Sequence, residues 1–335
     1  MRRVFLLALV FASALLLRLY PAATSGLPFS TDAWPLIRNT ELLLEYTPVR
    51  LDSGIFDGYN NYWPAVSLFG AVFSRVAGLE AMQALAFMLP VAGSTGVLLF
   101  YALAKRLYGF EVSLAASAIF ATAYTHAIFT AGVTKETYAN PLYMLLLLLF
   151  VHPGSCRARL FLFAFASVAL ALAHHLTPLV ALSVLAFAAA ADFAHSLTGA
   201  EAQERPVFLF PAVLALAVAL YTLFYARAGF KVSLYPSDWL SAASYMLLAL
   251  AGALYFDAKP PGSRRVVFLA SAAAMAVAVL LAALALRASV VPGAPVLPAR
   301  YLLYASPFMV ASPLAILGHD GLKGRLKAVS YTHLR

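Results

Sequence analysis

The chain consists of long apolar runs separated by short polar segments. Ten of these runs are almost continuously apolar, and a helix that crosses a membrane takes about 20 such residues. Transmembrane strands would instead alternate apolar and polar positions, which these runs do not. The pattern predicts membrane-spanning helices at residues 4–20, 80–104, 112–131, 137–151, 160–173, 178–195, 206–226, 237–256, 266–286 and 301–317.

The composition strengthens this prediction. Hydrophobic residues make up 63% of the 335 positions and charged residues 11%, and the mean hydropathy is +0.86. Soluble domains carry about 45–50% apolar and about 25% charged residues, so a water-soluble domain is excluded. We expect one all-α, polytopic membrane domain over residues 1–320. Residues 321–335 are interpreted as a cytoplasmic tail that is either artefactual or truncated.

The distribution of charge decides how the short apolar segment 61–77 lies. If 61–77 does not cross the membrane, both termini lie on the same side, and this side carries 14 basic and six acidic residues. The opposite side then carries nine basic and eight acidic residues. Making 61–77 a span would place the basic pairs Lys105–Arg106 and Arg264–Arg265 outside, against the usual cytoplasmic position of basic loops. We therefore expect both termini to be cytoplasmic. The net charge of +9 then reflects topology and not a nucleic-acid partner.

The first apolar run has two interpretations. Two N-terminal arginines, an apolar core and the stretch AAT at 22–24 fit a secretory signal peptide. The apolar run extends about 14 residues before Arg18, which is at the long end for the core of a signal peptide. We favour an uncleaved first helix. The single cysteine, Cys156, excludes a disulfide framework and a cysteine-based zinc site.

The longest loop, residues 21–79, is expected on the outer face. Loops longer than about 12–15 residues are usually functional or disordered. Segment 36–46 is compatible with a short helix that turns Leu42, Leu43 and Tyr46 toward lipid, and together with 61–77 it would cover a site at the outer leaflet. The tryptophans and tyrosines of the loop are Trp34, Tyr46, Tyr59, Tyr62 and Trp63. Such residues gather at headgroup level in any membrane protein, so they do not by themselves indicate chemistry.

Asp32 lies about a dozen residues after the first span, in the stretch FSTDAWPLIRN. A carboxylate at this place can act as a general base or as a metal ligand at the membrane surface. Asp32 also precedes Pro35, and aspartate is favoured at helix starts, so a helix cap is the alternative.

Lys135 and Glu136 are adjacent in the outer turn between the third and fourth predicted spans, FTAGVTKETYANP. An ionisable residue at membrane depth costs about 2.5–3.5 kcal/mol, so the residues found there are usually functional. The alternative is a solvated turn in which Thr134 caps the next helix.

Two further outer turns carry side chains that can bind anions. His174 and His175 end the fifth predicted span; because adjacent residues do not face one way on a helix, no shared metal is implied. Arg300 precedes the last span, and its guanidinium fork matches phosphate oxygens. The alternatives are a histidine pair without a ligand and an arginine that reaches the lipid headgroups.

One topology places Asp32, Glu136, His174, His175 and Arg300 on the same outer face. The turns of the inner face are short and basic and contain no comparable cluster. This coincidence favours a reaction on an anionic, lipid-linked substrate at the outer leaflet. The sequence has no P-loop, GxGxxG, HExxH or GxSxG motif in a usable context, so nucleotide hydrolysis, dinucleotide redox chemistry and serine hydrolysis have no support.

The order of these features resembles the GT-C superfamily of polyprenyl-phosphate-dependent glycosyltransferases. The similar parts are a first span, an outer loop with DAWPLIRNTELLLEY, the stretches YWPAVSLFGAVFSRVAG and MLPVAGSTGVLLFYALAKRLYG, an AGVTKET turn and an arginine before a late helix. The first 150 or so residues are most similar to oligosaccharyltransferase catalytic subunits and protein O-mannosyltransferases.

The resemblance implies an inverting transfer of a sugar from a dolichyl- or undecaprenyl-type phosphate. It assigns Asp32 and Glu136 as catalytic acids and, in a metal-dependent enzyme, as ligands of Mg²⁺ or Mn²⁺. Lys135 stands where oligosaccharyltransferases have a second acid, which leaves fewer oxygen ligands for a cation. The alternative is a metal-free site in which Lys135 neutralises the donor phosphate. Arg300 matches the late arginine that contacts this phosphate.

Other side chains are expected to complete the site. His174 and His175 would assist at the donor phosphate, and Trp34, Arg38 and Tyr138 are candidates for contacts with acceptor or sugar. The expected partners are a polyprenyl-phosphate-linked sugar, a protein, lipid or glycan acceptor, and membrane lipids. The expected location is the plasma membrane of a prokaryote.

A multi-pass transporter or lipid flippase is the main alternative function, and a noncatalytic membrane subunit is a third. Ion-coupled transporters carry ionisable residues near span centres, often on broken helices. The predicted spans are almost free of such residues, with Asp192 near an inner end and Arg18 near an outer end. The sequence therefore favours the glycosyltransferase.

Overall fold

The computed structural model describes residues 2–46, 58–152, 157–197 and 208–227. These ranges are helical and contain no strand, which confirms the predicted helical class for the part of the chain they cover. The predicted spans at 237–256, 266–286 and 301–317, and Arg300 with them, lie outside the described residues.

Helices occur at each predicted span within the described ranges. They are α1 Arg2–Ser25, α2 Ala33–Glu45, a 3₁₀ turn Gly58–Tyr62, α3 Ala65–Ala77, α4 Ala81–Tyr108, α5 Phe110–Thr122, α6 Tyr124–Ala131, α7 Lys135–Val151, α8 Arg157–Ala173, α9 Thr177–Leu197 and α10 Leu209–Ala226. Among these, α1, α4 and α10 are long and apolar enough to cross a membrane, and the bent pair α5 and α6 adds a fourth if it is one span. The count of ten spans stays a prediction.

Helix α4 lies at the centre of the described bundle and packs against α7, α5 and α1. Its contact with α7 is close because Gly93 has no side chain. A Cβ atom at this position would lie 2.8 Å from Cγ2 of Thr137 and 3.1 Å from the carbonyl oxygen of Thr130. Small residues at helix contacts allow such approach in membrane bundles. The start of α7, where Lys135 lies, is thereby held against α4.

A second apolar core joins α7, α8, α9 and α10. Its buried side chains include Leu146, Phe163, Leu170, Leu185 and Leu214. The rings of Phe163 and Phe210 meet edge to face, with centroids 5.0 Å apart, which is a favoured arrangement for aromatic pairs. This core holds the first turn of α7 beside the end of α8 and the start of α9.

The loop helices α2 and α3 pack on the N-terminal part of α4. Their shared core contains Leu36, Ile37, Val66, Leu85 and Leu89. The predicted lipid-facing direction of two leucines of α2 is wrong, because Leu42 and Leu43 are buried within the protein. Helix α3 instead exposes Leu68, Val72 and Val76, which are spaced four residues apart and form one apolar stripe.

The predicted continuous span at 112–131 is also wrong, because the helix breaks at Ala123. Its backbone is extended there, with φ −55° and ψ 118°, and α5 and α6 meet at a bend of 60°. Neither Pro nor Gly lies at the break. A break in a membrane helix frees backbone carbonyls, which need donors from elsewhere.

Arg18 of α1 supplies these donors. Its side chain is fully buried, and Nη1 donates to the carbonyl oxygen of Ala121 at 3.1 Å. Its Nε donates to Oγ1 of Thr130 at 2.7 Å, and Nη2 donates to Nδ1 of His126 at 2.8 Å. Arg18 was one of the two ionisable residues expected near span ends, and the structure adds that its side chain is fully buried.

Replacing Arg18 by Met is expected to destabilise the protein by about 3 kcal/mol, since each buried polar group left without a partner costs about 1–3 kcal/mol. The measurement is the free energy of unfolding in mixed micelles. Arg38→Met is the matched control, because Arg38 is exposed and its ion pair with Glu41 is worth at most about 1 kcal/mol. Equal losses in the two variants would contradict the role of Arg18 at the helix break.

Candidate functional site

The candidate site is built around the first turn of α7. Lys135 and Glu136 are the first two residues of this helix and precede the apolar span 137–151. Thr134 is the N-cap, and its Oγ1 accepts the backbone N–H of Thr137 at 3.3 Å, so the cap named in the alternative interpretation of this turn is present. The two charged side chains therefore start from a fixed backbone.

Lys135 is almost completely buried beneath two aromatic rings. Only 7% of the residue is exposed, and Nζ lies 4.1 Å from the ring centroid of Tyr59 and 5.3 Å from that of Trp63. A desolvated ammonium is attracted to the faces of such rings. Burial lowers the pKa of Lys135 to about 8, while the charges of Glu136 and Asp32 oppose this shift. The ammonium can therefore lose its proton near physiological pH.

Glu136 is tied to the turn between α8 and α9 through His174. Nδ1 of His174 accepts the backbone N–H of Thr177 at 3.2 Å, so the ring proton lies on Nε2. Nε2 is 3.2 Å from Oε1 of Glu136 and donates to it. The hydroxyl of Thr177 also lies 2.6 Å from Nδ1. Both ring nitrogens of His174 are thus engaged within the protein.

The environment keeps Glu136 ionised. The hydrogen bond from His174 is the main reason that the pKa of Glu136 falls to about 2, although burial acts in the opposite direction. A carboxylate with such a low proton affinity is a weak general base. Its side chain is half exposed, so it stays accessible to a ligand.

His175 pairs with Tyr59 on the other side of the lysine. The hydroxyl of Tyr59 lies 2.6 Å from Nδ1 of His175, and the two rings meet edge to face with centroids 5.7 Å apart. Burial raises the pKa of Tyr59, with a contribution from Glu136, so the phenol keeps its proton and donates. Burial and the neighbouring His174 and Lys135 lower the pKa of His175. The partly exposed imidazole is therefore neutral near pH 7.

Asp32 reaches the site through a contact between two loops. The backbone N–H of Val133 donates to the carbonyl oxygen of Phe29 at 2.8 Å, which joins the loop before α2 to the loop before α7. Asp32 is the N-cap residue of α2, but its side chain forms no capping hydrogen bond. Ser30, two residues before Asp32, has φ 104°, a strained value for a residue other than glycine. Asp32 is exposed, and its charge acts on Lys135.

The structure also shows the surroundings of three predicted contact residues. Arg38 forms an exposed ion pair with Glu41, with Nη1 and Oε2 3.3 Å apart. Trp34 is half exposed on α2. Tyr138 is partly buried in the core, with its ring 5.4 Å from that of Phe69. The structure thus brings together Lys135, Glu136 and the two histidines, within the electrostatic reach of Asp32.

Tyr59, Trp63 and Thr177 were not predicted as site residues. The two aromatic residues were grouped with the tryptophans and tyrosines expected at any membrane interface. Their spacing of four residues in GYNNYW is a signal that the rings can lie side by side, and their centroids are 4.7 Å apart. Thr177 follows the histidine pair by two residues and begins α9.

The side chains of the site can be compared with the ligands that the predicted divalent cation needs. Among the described residues, no group of three or more His, Cys, Asp or Glu side chains is placed to hold a metal ion. One oxygen of Glu136 already accepts from His174, and the charges of both Glu136 and Asp32 act on the Lys135 ammonium. Magnesium and manganese favour several oxygen ligands, so these side chains fit a divalent cation poorly.

The comparisons with known proteins add no family to this picture. No protein-family model matches the chain, and no curated protein gives a significant match. The resemblance to GT-C glycosyltransferases therefore stays a prediction from the sequence.

Proposed function

We propose that this chain is an integral-membrane glycosyltransferase of the GT-C type. It transfers a sugar from a polyprenyl-phosphate-linked donor to a protein, lipid or glycan acceptor at the extracytoplasmic face. The proposal includes ten spans, cytoplasmic termini and the plasma membrane of a prokaryote. The observation that carries it is the meeting of Lys135, Glu136, His174 and His175 at one end of the bundle, within the electrostatic reach of Asp32.

In the proposed reaction, a nucleophile of the acceptor attacks the anomeric carbon of the donor sugar. Asp32 accepts the proton of the nucleophile, and the bond from the anomeric carbon to the phosphate oxygen breaks with its electron pair on the phosphate. Lys135 neutralises the charge that develops there, with Arg300 as a second cation. Charge placed in advance around a leaving group is usually a large catalytic contribution. Attack opposite the leaving group inverts the anomeric centre.

Glu136 and His174 have a supporting role in this scheme. Because the pKa of Glu136 is about 2, its carboxylate is a weaker base than the carboxylate of an ordinary glutamate. It holds the His174 ring and offsets the charge of Lys135. The exposed Asp32 is the better candidate for proton transfer. Since Lys135 already provides a positive charge, we propose that transfer proceeds without a metal.

Donor binding should weaken as the pH rises above about 8. Burial lowers the pKa of Lys135 to about 8, so the ammonium is charged below this value and neutral above it. We expect the affinity for farnesyl phosphate to fall about tenfold for each pH unit above 8, the slope for loss of one proton. Calorimetric titration between pH 7 and about pH 10 measures this change.

The same shift has a consequence for folding. Between pH 8 and the ordinary lysine value of 10.5, the unfolded chain binds the proton that the folded chain has lost. Stability without ligand should therefore rise over this window. Lys135→Arg keeps its charge over the range, so its affinity should not show the loss above pH 8. An equal loss in wild type and Lys135→Arg would assign the titration to another group.

A donor panel tests the proposed function. Purified protein in nanodiscs is given a series of polyprenyl-phosphate sugars and candidate acceptors, and release of polyprenyl phosphate is followed by mass spectrometry. We expect at least one donor to be consumed with formation of an inverted glycoside. Consumption of none of the donors would contradict the proposal.

The broken pair α5 and α6 favours one second candidate, a transporter or lipid flippase. Broken helices that meet a buried ionisable residue are common in transporters, and Arg18 lies at the bend of this pair. The two functions differ in one measurable product. A flippase moves fluorescent polyprenyl-phosphate sugars across a vesicle membrane and leaves the sugar bond intact, whereas the glycosyltransferase breaks it.

A further inference from the structure

Two tyrosines of α10 form hydrogen bonds with the turn that covers Lys135. The hydroxyl of Tyr221 donates to the carbonyl oxygen of Tyr62 at 2.6 Å, and the hydroxyl of Tyr225 donates to that of Asn61 at 3.1 Å. The pair is separated by one helical turn, and the ring centroids are 5.4 Å apart. More than 150 residues of sequence lie between these tyrosines and the turn. These two hydrogen bonds therefore join the turn to a helix that is distant in the sequence.

The turn that accepts these hydrogen bonds is the 3₁₀ turn Gly58–Tyr62. It contains Tyr59 and leads directly into Trp63, the two residues whose rings cover the ammonium of Lys135. The ring of Tyr62 also touches that of Trp63, with centroids 6.1 Å apart. A displacement of the turn would therefore move both rings away from the lysine.

Helix α10 has an irregular backbone at this place. Its last residues, Thr222–Ala226, form a π-helical turn, and Tyr225 lies within it. Such turns occur frequently at functional sites because they change the direction of side chains locally. The hydrogen bonds of both tyrosines end on the backbone of the 3₁₀ turn, so their effect on the lysine is argued through this turn.

We propose that Tyr221 and Tyr225 are positioning residues that set how far Lys135 is open to an anionic ligand. Their hydroxyls hold the 3₁₀ turn in the position in which Tyr59 and Trp63 cover the ammonium. Release of these hydrogen bonds uncovers it. The identity of the ligand as a donor phosphate rests on the proposed function, whereas the control of access does not.

Acetylation of the full chain in detergent micelles tests this inference. The rate at Lys135 is measured by mass spectrometry after brief treatment with acetic anhydride and is divided by the rate at the exposed Lys105. The variant is Tyr221→Phe combined with Tyr225→Phe, which keeps both rings and removes both hydroxyls. We expect the relative rate at Lys135 to rise about tenfold, because the covered state loses two hydrogen bonds.

Tyr143→Phe is the matched control. Tyr143 is a partly buried tyrosine of α7 that packs in the core of α7 to α10, so its variant should leave the rate at Lys135 unchanged. An unchanged rate in the double variant would overturn the inference. If the double variant does not fold, as judged by its unfolding midpoint, Tyr225→Phe alone decides by the same criterion.

A second arm separates this inference from the proposed function. Farnesyl phosphate is added before acetylation of wild type and of the double variant. Protection of Lys135 supports the donor phosphate as ligand, and lack of protection in both proteins counts against the donor. In either case, the positioning role is tested by the acetylation rate at Lys135 without ligand, which we expect to differ about tenfold between the wild type and the double variant.

Discussion

Replacing Asp32 by Asn is expected to lower the rate of sugar transfer about a thousandfold, since a positioned general base contributes about 10²–10⁴ to a rate. The amide keeps the size of the side chain but cannot accept the proton of the acceptor. Asp32 is exposed and forms no capping hydrogen bond, so the variant should fold and insert as wild type does. The measurement is kcat with the donor identified in the panel.

Glu41→Gln is the control for this prediction. Glu41 is another exposed acid of α2, and its contact with Arg38 is a weak surface ion pair. The control should keep the full rate. If Asp32→Asn also keeps the full rate, Asp32 is only the N-cap residue of α2, and the base must be another residue.

Lys135→Met is expected to lower kcat/KM about 10²–10³-fold, which is typical for loss of one group that stabilises developing charge. Methionine has a similar length but no charge for the donor phosphate. Burying an ammonium is costly, so its replacement by an apolar side chain should leave stability equal or higher. Activity and stability thus change in different directions, which a variant that merely misfolds would not show.

Lys105→Met is the matched variant for Lys135→Met. Lys105 is an exposed lysine near the end of α4, with its Nζ 5.8 Å from the ring of Tyr101. It should keep both activity and stability. Full activity in Lys135→Met would show that this ammonium has no part in donor recognition.

The sequence predicted the helices well because each is marked by an apolar run and by local end signals. The span predicted at 137–151 is the apolar part of α7, and its start follows from the cap at Thr134. The span predicted at 80–104 is likewise the main part of α4, Ala81–Tyr108. Such features depend on neighbours within one or two helical turns, which a single sequence contains.

Features that depend on distant contacts were missed. The break at Ala123 has no local signal, because its freed carbonyl is satisfied by Arg18, more than 100 residues earlier. Leu42 and Leu43 were assigned to lipid because hydrophobicity does not distinguish a lipid from the apolar side of a neighbouring helix. In the structure α2 packs against α3, which buries both leucines.

The part of the site that could be predicted is the part that depends on topology, because the order of the helices determines which turns lie at the same end of the bundle. Glu136 lies at the start of α7 and His174 at the end of the next helix, α8, so an antiparallel helix order brings both to the same end of the bundle. The cover over Lys135 was not predicted, because the fold of the 3₁₀ turn depends on α10. The core position of Tyr138 was also missed, since an aromatic residue one turn after a charged pair fits a site and a core equally well.

Photocrosslinking with a polyprenyl-phosphate analogue tests the central claim most directly. A diazirine is placed next to the phosphate, the purified protein is irradiated in nanodiscs, and the labelled peptides are mapped. The account predicts labels in peptides that contain Tyr59, Lys135 and His175, with competition by unmodified polyprenyl phosphate. Labels confined to the opposite end near Lys105, or spread over lipid-facing helices without competition, would contradict a phosphate site at the start of α7.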